Sequence, residues 1–171
     1  MSCSKYLLNY MSKILVETGS GKGGGIKTAI NIGFKEVYSI EIDKDRYNIC
    51  VHKFRNHPNV HLYLGSSVDL LPLVLEKINE KATFLLDAHV MSKDETYDAN
   101  YICPLLVELE LILEHGIANR VKHSILIDDT KLFNGATASF DNITLADIDH
   151  ARMNIDPSMT LSANRRFILL S

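Results

Sequence analysis

A short apolar run, Ile14-Leu15-Val16, gives way to five glycines within seven positions (Gly19, Gly21, Gly23, Gly24 and Gly25), and an amphipathic helical pattern follows from Ile26. No other feature constrains the fold as tightly. Strand, glycine turn and helix in that order build the edge of an α/β sheet where bare backbone can approach a nucleotide-like ligand. Glycine reaches φ > 0 there and has no Cβ to stand in the way.

The rest of the chain repeats the alternation. Strand patterns fall at about 13–18, 36–42, 60–64, 82–87 and 122–128, with helical patterns at about 24–33, 44–56, 68–80 and 101–115 between them. Such alternation predicts βαβ units around a parallel sheet with helices on both faces. Boundary residues agree. Pro104 suits the first turn of the fourth of these helices and Gly116 the position just past its end. Thr144 and Asp147 read as an N-cap and first-turn acid for a helix at about 145–154. Residues 159–163 and 165–170 form two strand-like runs meeting at Asn164, which predicts a closing antiparallel hairpin and seven strands in all. Residues 1–12 hold at most a short helix, Lys5–Met11. Two loops, about 88–100 and 129–143, are longer than the connections require and mark a functional edge.

Composition narrows the class. A chain of 171 residues, 46% hydrophobic and 23% charged, suits one domain spanning 1–171. A net charge of −3 without a basic stripe predicts no nucleic-acid partner. No apolar run is long enough to span a bilayer, so no membrane role is expected. Cys3, Cys50 and Cys103 are odd in number and far apart, and read as reduced thiols of a cytoplasmic protein.

Three ligands compete for the glycine turn. A phosphate-binding P-loop fails, because Lys22 is followed by Gly23 and Lys27-Thr28 follows Ile26. The dinucleotide spacing G-x-G-x-x-G is present as Gly19 to Gly24, with Glu41 about 20 residues on to meet ribose hydroxyls. The third candidate, S-adenosylmethionine, carries no phosphate, and so tolerates Glu17 beside the turn where a pyrophosphate would be repelled.

Glu17-Thr18-Gly19-Ser20-Gly21 resembles the E/D-x-G-x-G motif of class I S-adenosylmethionine-dependent methyltransferases. The resemblance implies a Rossmann-like methyltransferase fold. It also implies a cofactor cradle of Glu17, Gly19, Ser20, Gly21, Gly23, Glu41, Ile42, Ser66, Ser67 and Asp87. In it, Glu17 positions the methionine amino group, Glu41 the ribose, and the Gly65–Pro72 segment the adenine. The fourth strand ends in Asp87-Ala88-His89 and the fifth in Asp128-Asp129. Three carboxyls converging at adjacent strand ends would raise one another's pKa unless a cation neutralised them, and oxygen ligands suit Mg²⁺ or another hard divalent cation. This arrangement is similar to cation-dependent O-methyltransferases of the catechol and macrocin/sugar type. It implies Asp87, Asp128 and Asp129 as metal ligands and His89 as the catalytic base. Catechol enzymes place a lysine three positions after the first Asp, where this chain has Val90; Lys93 is off register.

The expected activity is cation-assisted O-methylation of a small molecule or sugar hydroxyl. DNA-base methylation is not expected, because Asp87-Ala88-His89-Val90 lacks the Asp/Asn-Pro-Pro-aromatic motif. Two alternatives remain: a methyltransferase-like domain that binds a cofactor or partner without transfer, and an NAD-dependent oxidoreductase. With little chain beyond the core, the acceptor site is expected to come from the two long loops or a second subunit of a homodimer, or to be open enough for a bulky glycan or a partner protein. Tyr97, Tyr101 and Lys131 lie in those loops.

Overall fold

The structure, a computed structural model, describes residues 3–89 and 103–171. Seven strands form one sheet in the order β3-β2-β1-β4-β5-β7-β6. They are β1 Ile14–Thr18, β2 Glu36–Glu41, β3 Val60–Leu64, β4 Ala82–Leu86, β5 Ser124–Ile127, β6 Leu161–Ala163 and β7 Ile168–Leu170. β1 to β5 are parallel, while β7 runs antiparallel to both β5 and β6. The helices are α1 Cys3–Asn9, α2 Gly24–Ile32, α3 Lys44–Phe54, α4 Ser67–Leu75, α5 Leu105–Asn119 and α6 Leu145–Ile155. The expected α/β fold, closing hairpin included, is what forms.

Period-two alternation splits each central strand between two cores. On one face Ile14 and Val16 of β1 join Leu71, Val74, Leu109, Ile112 and Ile148 from α4, α5 and α6. On the other, Leu15 joins Leu7, Ile26, Ala29, Cys50 and Phe54 from α1, α2 and α3. β1 is buried along its whole length, as a central parallel strand must be.

Local chemistry sets the element ends. Asp43 caps α3 by accepting from the Arg46 amide at 2.8 Å. Thr144 and Asp147 form a reciprocal capping box at the start of α6. Gly116 departs from expectation. It lies inside α5 and is buried there, and the left-handed residue that ends the helix is Arg120, at φ 55°. The glycine is needed for packing, since a Cβ at 116 would sit 2.9 Å from the Val121 carbonyl oxygen. The expected 129–143 loop contains two 3₁₀ turns, Thr130–Leu132 and Ala138–Phe140, which bury Phe133 and Phe140. Of the 88–100 loop, only residues 88 and 89 are among those described; Lys93, Tyr97 and Tyr101 lie outside them. Among the described residues, no helix is long and apolar enough to cross a membrane.

Candidate active site

The helix after β1 packs on one face of the sheet and the helix after β4 on the other. The adjacent C-terminal ends of β1 and β4 therefore flank a crevice, the place where open α/β sheets bind ligands. Both strand ends carry acids. Gly19, at φ 80°, lets the β1 turn lie against the end of β4; a Cβ there would fall 2.5 Å from the Asp87 carbonyl oxygen.

Glu17 is buried beneath this turn. Its Oε2 accepts from the Ser39 hydroxyl at 2.6 Å, and the Ser39 and Ser20 hydroxyls lie 2.6 Å apart. Burial pushes its pKa up to about 8, the Ser39 hydrogen bond opposes this, and the nearby Asp87 and Glu41 carboxyls add to the rise. A cation placed beside Glu17 would favour the charged form again. Glu41, at the end of β2, receives the Gly21 amide at 2.7 Å on Oε2 and the Asp43 amide at 2.9 Å on Oε1. Burial raises its pKa, and those two amides offset part of the rise. A carboxylate has about four lone-pair sites, so two remain for ligand hydroxyls. Gly23 caps α2 in the left-handed conformation, and Ile42 is half-buried beside Glu41. Ser66 precedes α4 without a side-chain cap bond. Ser67, the first residue of α4, is buried near Glu108.

Asp87 follows β4 with 39% of its side chain exposed. Burial of the carboxyl, then Asp128 and Asp129, push its pKa up to about 7, against the pull of Arg166. The His89 ring packs on Phe140 at 4.4 Å, tilted by 32°, with Nδ1 4.0 Å from Asp87 Oδ1. Asp87, His89 and Asp129 each offer a ligand atom, all within 4.8 Å of one another. Asp129 holds the left-handed conformation at φ 61°, which turns the chain sharply as it leaves β5.

Asp128, expected beside these as a third acid ligand, is engaged otherwise. Its buried carboxylate is gripped by Arg166, with Nη2–Oδ2 at 2.7 Å and Nε–Oδ1 at 3.0 Å. The antiparallel pairing of β7 with β5 brings Arg166 there, and the Thr130 amide donates to the Arg166 carbonyl. Sequence reasoning missed Arg166, because it sits about 40 positions away across a pairing that the hairpin alone does not specify.

It also missed Glu108, which is fully buried on α5. Thr18 Oγ1 donates to its Oε2 at 3.2 Å, and the buried Ser67 side chain lies nearby. Burial pushes its pKa up to about 7, opposed by the neighbouring Ser67 and Thr18 hydroxyls. The signal was present. Leu105, Glu108, Leu109, Ile112, Leu113 and Gly116 fall at helical spacing on one buried stripe, and an acid on such a stripe stands out. Glu108, Asp87, His89, Asp128, Phe133 and Phe140 help line one cleft.

No protein-family model matches the chain. Ribosomal RNA small subunit methyltransferase A of Prochlorococcus marinus strain MIT 9301 is 36% identical over 69 residues, covering 40% of this chain and 24% of the relative. The strain AS9601 protein is 35% identical over 69 residues. The chain thus spans about a quarter of the length of the curated relatives it matches. Solved structures align over nearly the whole chain. Podospora anserina methyltransferase PaMTH1 bound to SAH matches with TM-score 0.65 and 15% identity, over 98% of this chain and 74% of that one. The Bacillus cereus O-methyltransferase in complex with SAH matches with TM-score 0.66 and 13% identity, over 98% and 77%. An rRNA methylase from Streptococcus thermophilus matches with TM-score 0.56 and 12% identity, over 98% and 91%. By superposition over 98% of its length, the protein has the Rossmann-like fold of these methyltransferases.

Proposed function

We propose that the chain transfers a methyl group from S-adenosylmethionine to a hydroxyl oxygen of a small molecule or sugar, with a divalent cation assisting. The observation that carries this reading is the set of acids at successive strand ends, Glu17, Glu41 and Asp87, around a glycine turn at the switch point of the sheet. A positively charged, phosphate-free cofactor suits that field; a pyrophosphate does not. The fold shared with SAH-bound methyltransferases supports it.

S-adenosylmethionine, when bound, supplies an already activated methyl group, so the protein needs no nucleophile of its own. Glu41 would hold the ribose hydroxyls with its spare lone pairs while Gly21 and Asp43 fix its orientation. Beside the cofactor's positive charge, Glu17 and Asp87 would give up their protons and supply negative charge on either side of the Gly19 turn. His89 accepts the acceptor's hydroxyl proton, and orientation of the resulting oxygen toward the methyl provides much of the rate. A hard cation, when bound, would lower the hydroxyl's pKa. Asp87 and Asp129 fit it by donor chemistry and by separation, and Asp128 is committed to Arg166. His89 lies within the same donor set, and a ring nitrogen that binds the cation cannot also take the proton.

Incubation with methyl-labelled S-adenosylmethionine and a panel of hydroxylated acceptors tests the reading. Label should reach hydroxyl oxygen, with transfer reduced at least tenfold by a chelator. His89→Ala should lower turnover by about 10²–10⁴-fold, as expected for loss of a general base. Unchanged cation affinity in that variant assigns the base role, and lost affinity assigns the ligand role.

A second reading, methylation of RNA, draws on the 69-residue likeness to ribosomal RNA small subunit methyltransferase A. The net charge of −3 and the acidic crevice weigh against a phosphate-rich acceptor. Label transfer to ribosomal RNA in the same assay, falling steeply with salt, would favour it.

A further inference from the structure

We infer that the cleft floored by Glu108 is a subsite for a primary ammonium group carried by the acceptor; naming the carrier rests on the methyl-transfer reading, whereas the binding itself does not. Glu108 is fully buried on the apolar stripe of α5. Its Oε2 is held by Thr18, but among the described residues Oε1 has no hydrogen-bond partner. A buried carboxyl oxygen left without a donor is costly, and a ligand that donates to it removes that cost.

Three features select the donor. The walls are aromatic: Phe133 and Phe140 meet edge-to-face at 5.1 Å, and the His89 ring lies against Phe140. Ring faces attract cations. The rim is acidic, with Asp87 beside Asp128, and the Arg166 charge is met bidentately by Asp128. The cleft has room for about one water-sized group. An –NH₃⁺ head has that size and carries three donors. A trimethylammonium head is too bulky, and a hydroxyl brings one donor and no charge.

The test is titration of the full ¹⁵N-labelled chain at pH 7 with ethylammonium chloride, ethanol and tetramethylammonium chloride at matched ionic strength. Amide shifts at residues 86–89 and 105–108 are the readout. Saturable shifts with ethylammonium are expected, with ethanol at least about tenfold weaker and tetramethylammonium without effect at those residues. Glu108→Gln should weaken ethylammonium about tenfold or more, the range for a hydrogen bond to a charged group. Phe140→Leu should weaken it severalfold, and with the wild-type comparison it decides the matter if Glu108→Gln does not fold. Equal binding of ethanol and ethylammonium, or full affinity in either variant, overturns the inference. SAH affinity, measured in parallel, should be unchanged in Glu108→Gln. Its loss there would move Glu108 into the cofactor cradle and overturn the ammonium subsite, without touching the methyl-donor reading.

Discussion

The Glu17 carboxyl occupies the space that a side chain on Gly25 would need: a Cβ at residue 25 would lie 1.7 Å from Glu17 Oε1. The glycine run and the buried acid are thus one structural unit. Gly25→Ala should destabilise the protein by about 1–3 kcal/mol, the usual range for overpacking, even though alanine favours a helix. Adding Glu17→Ala should recover part of the loss, which a double-mutant cycle of urea denaturation curves would read directly.

Buried acids also set the pH dependence of stability. Glu17 has its pKa raised from 4.5 to about 8, and Glu108 from 4.5 to about 7. In each case the folded state holds its proton where the unfolded chain has lost it. This stability is fully present below about pH 4.5 and is lost as pH rises through the folded pKa values, up to about 8. Glu17→Gln should flatten the alkaline side of the curve, with urea denaturation from pH 5 to 9 as the measurement.

On the acid side, the group to watch is His123, buried at the opposite end of the sheet. Its Nδ1 accepts the Ala82 amide at 3.1 Å, and its Nε2 lies 3.0 Å from His115 Nδ1. Burial and the neighbouring His115 push its pKa down from 6.5 to about 4. Its contribution is therefore present above about 6.5 and lost as pH falls toward 4. His123→Gln should lessen the loss of thermal stability between pH 6.5 and 4.

Arg166→Met should leave the buried Asp128 carboxylate without its partner. Arg166 is 45% exposed, so solvent screening reduces the penalty below that of a fully buried pair, to about 1–3 kcal/mol. Asp128→Asn in the same background should restore much of it. The readout is the midpoint of thermal unfolding. Divalent-cation binding gives a second contrast: Asp87→Asn and Asp129→Asn should each weaken it at least tenfold, and Asp128→Asn should leave it nearly unchanged.

The architecture was legible because alternating strand and helix patterns, together with short connections, leave few topologies open. The hairpin Leu161–Leu170 was legible as a pair, and its place beside β5 brings in the residue that reading the acids alone could not supply. The strand-end acids imply a shared site, yet they say nothing of Arg166, which pairs with Asp128. Gly116 was misplaced for a physical reason: glycine serves tight packing against residues 121 and 123 as readily as it ends a helix. Glu108 was readable only as an exception to its own stripe, because an apolar helix face normally excludes an acid.

Calorimetric titration of the purified chain with SAH and with NAD, repeated on Glu41→Ala, tests the central claim most directly. One-to-one SAH binding that falls at least tenfold in Glu41→Ala, with no NAD binding, is the predicted result. Tight NAD binding with no SAH binding would contradict the methyl-donor reading outright.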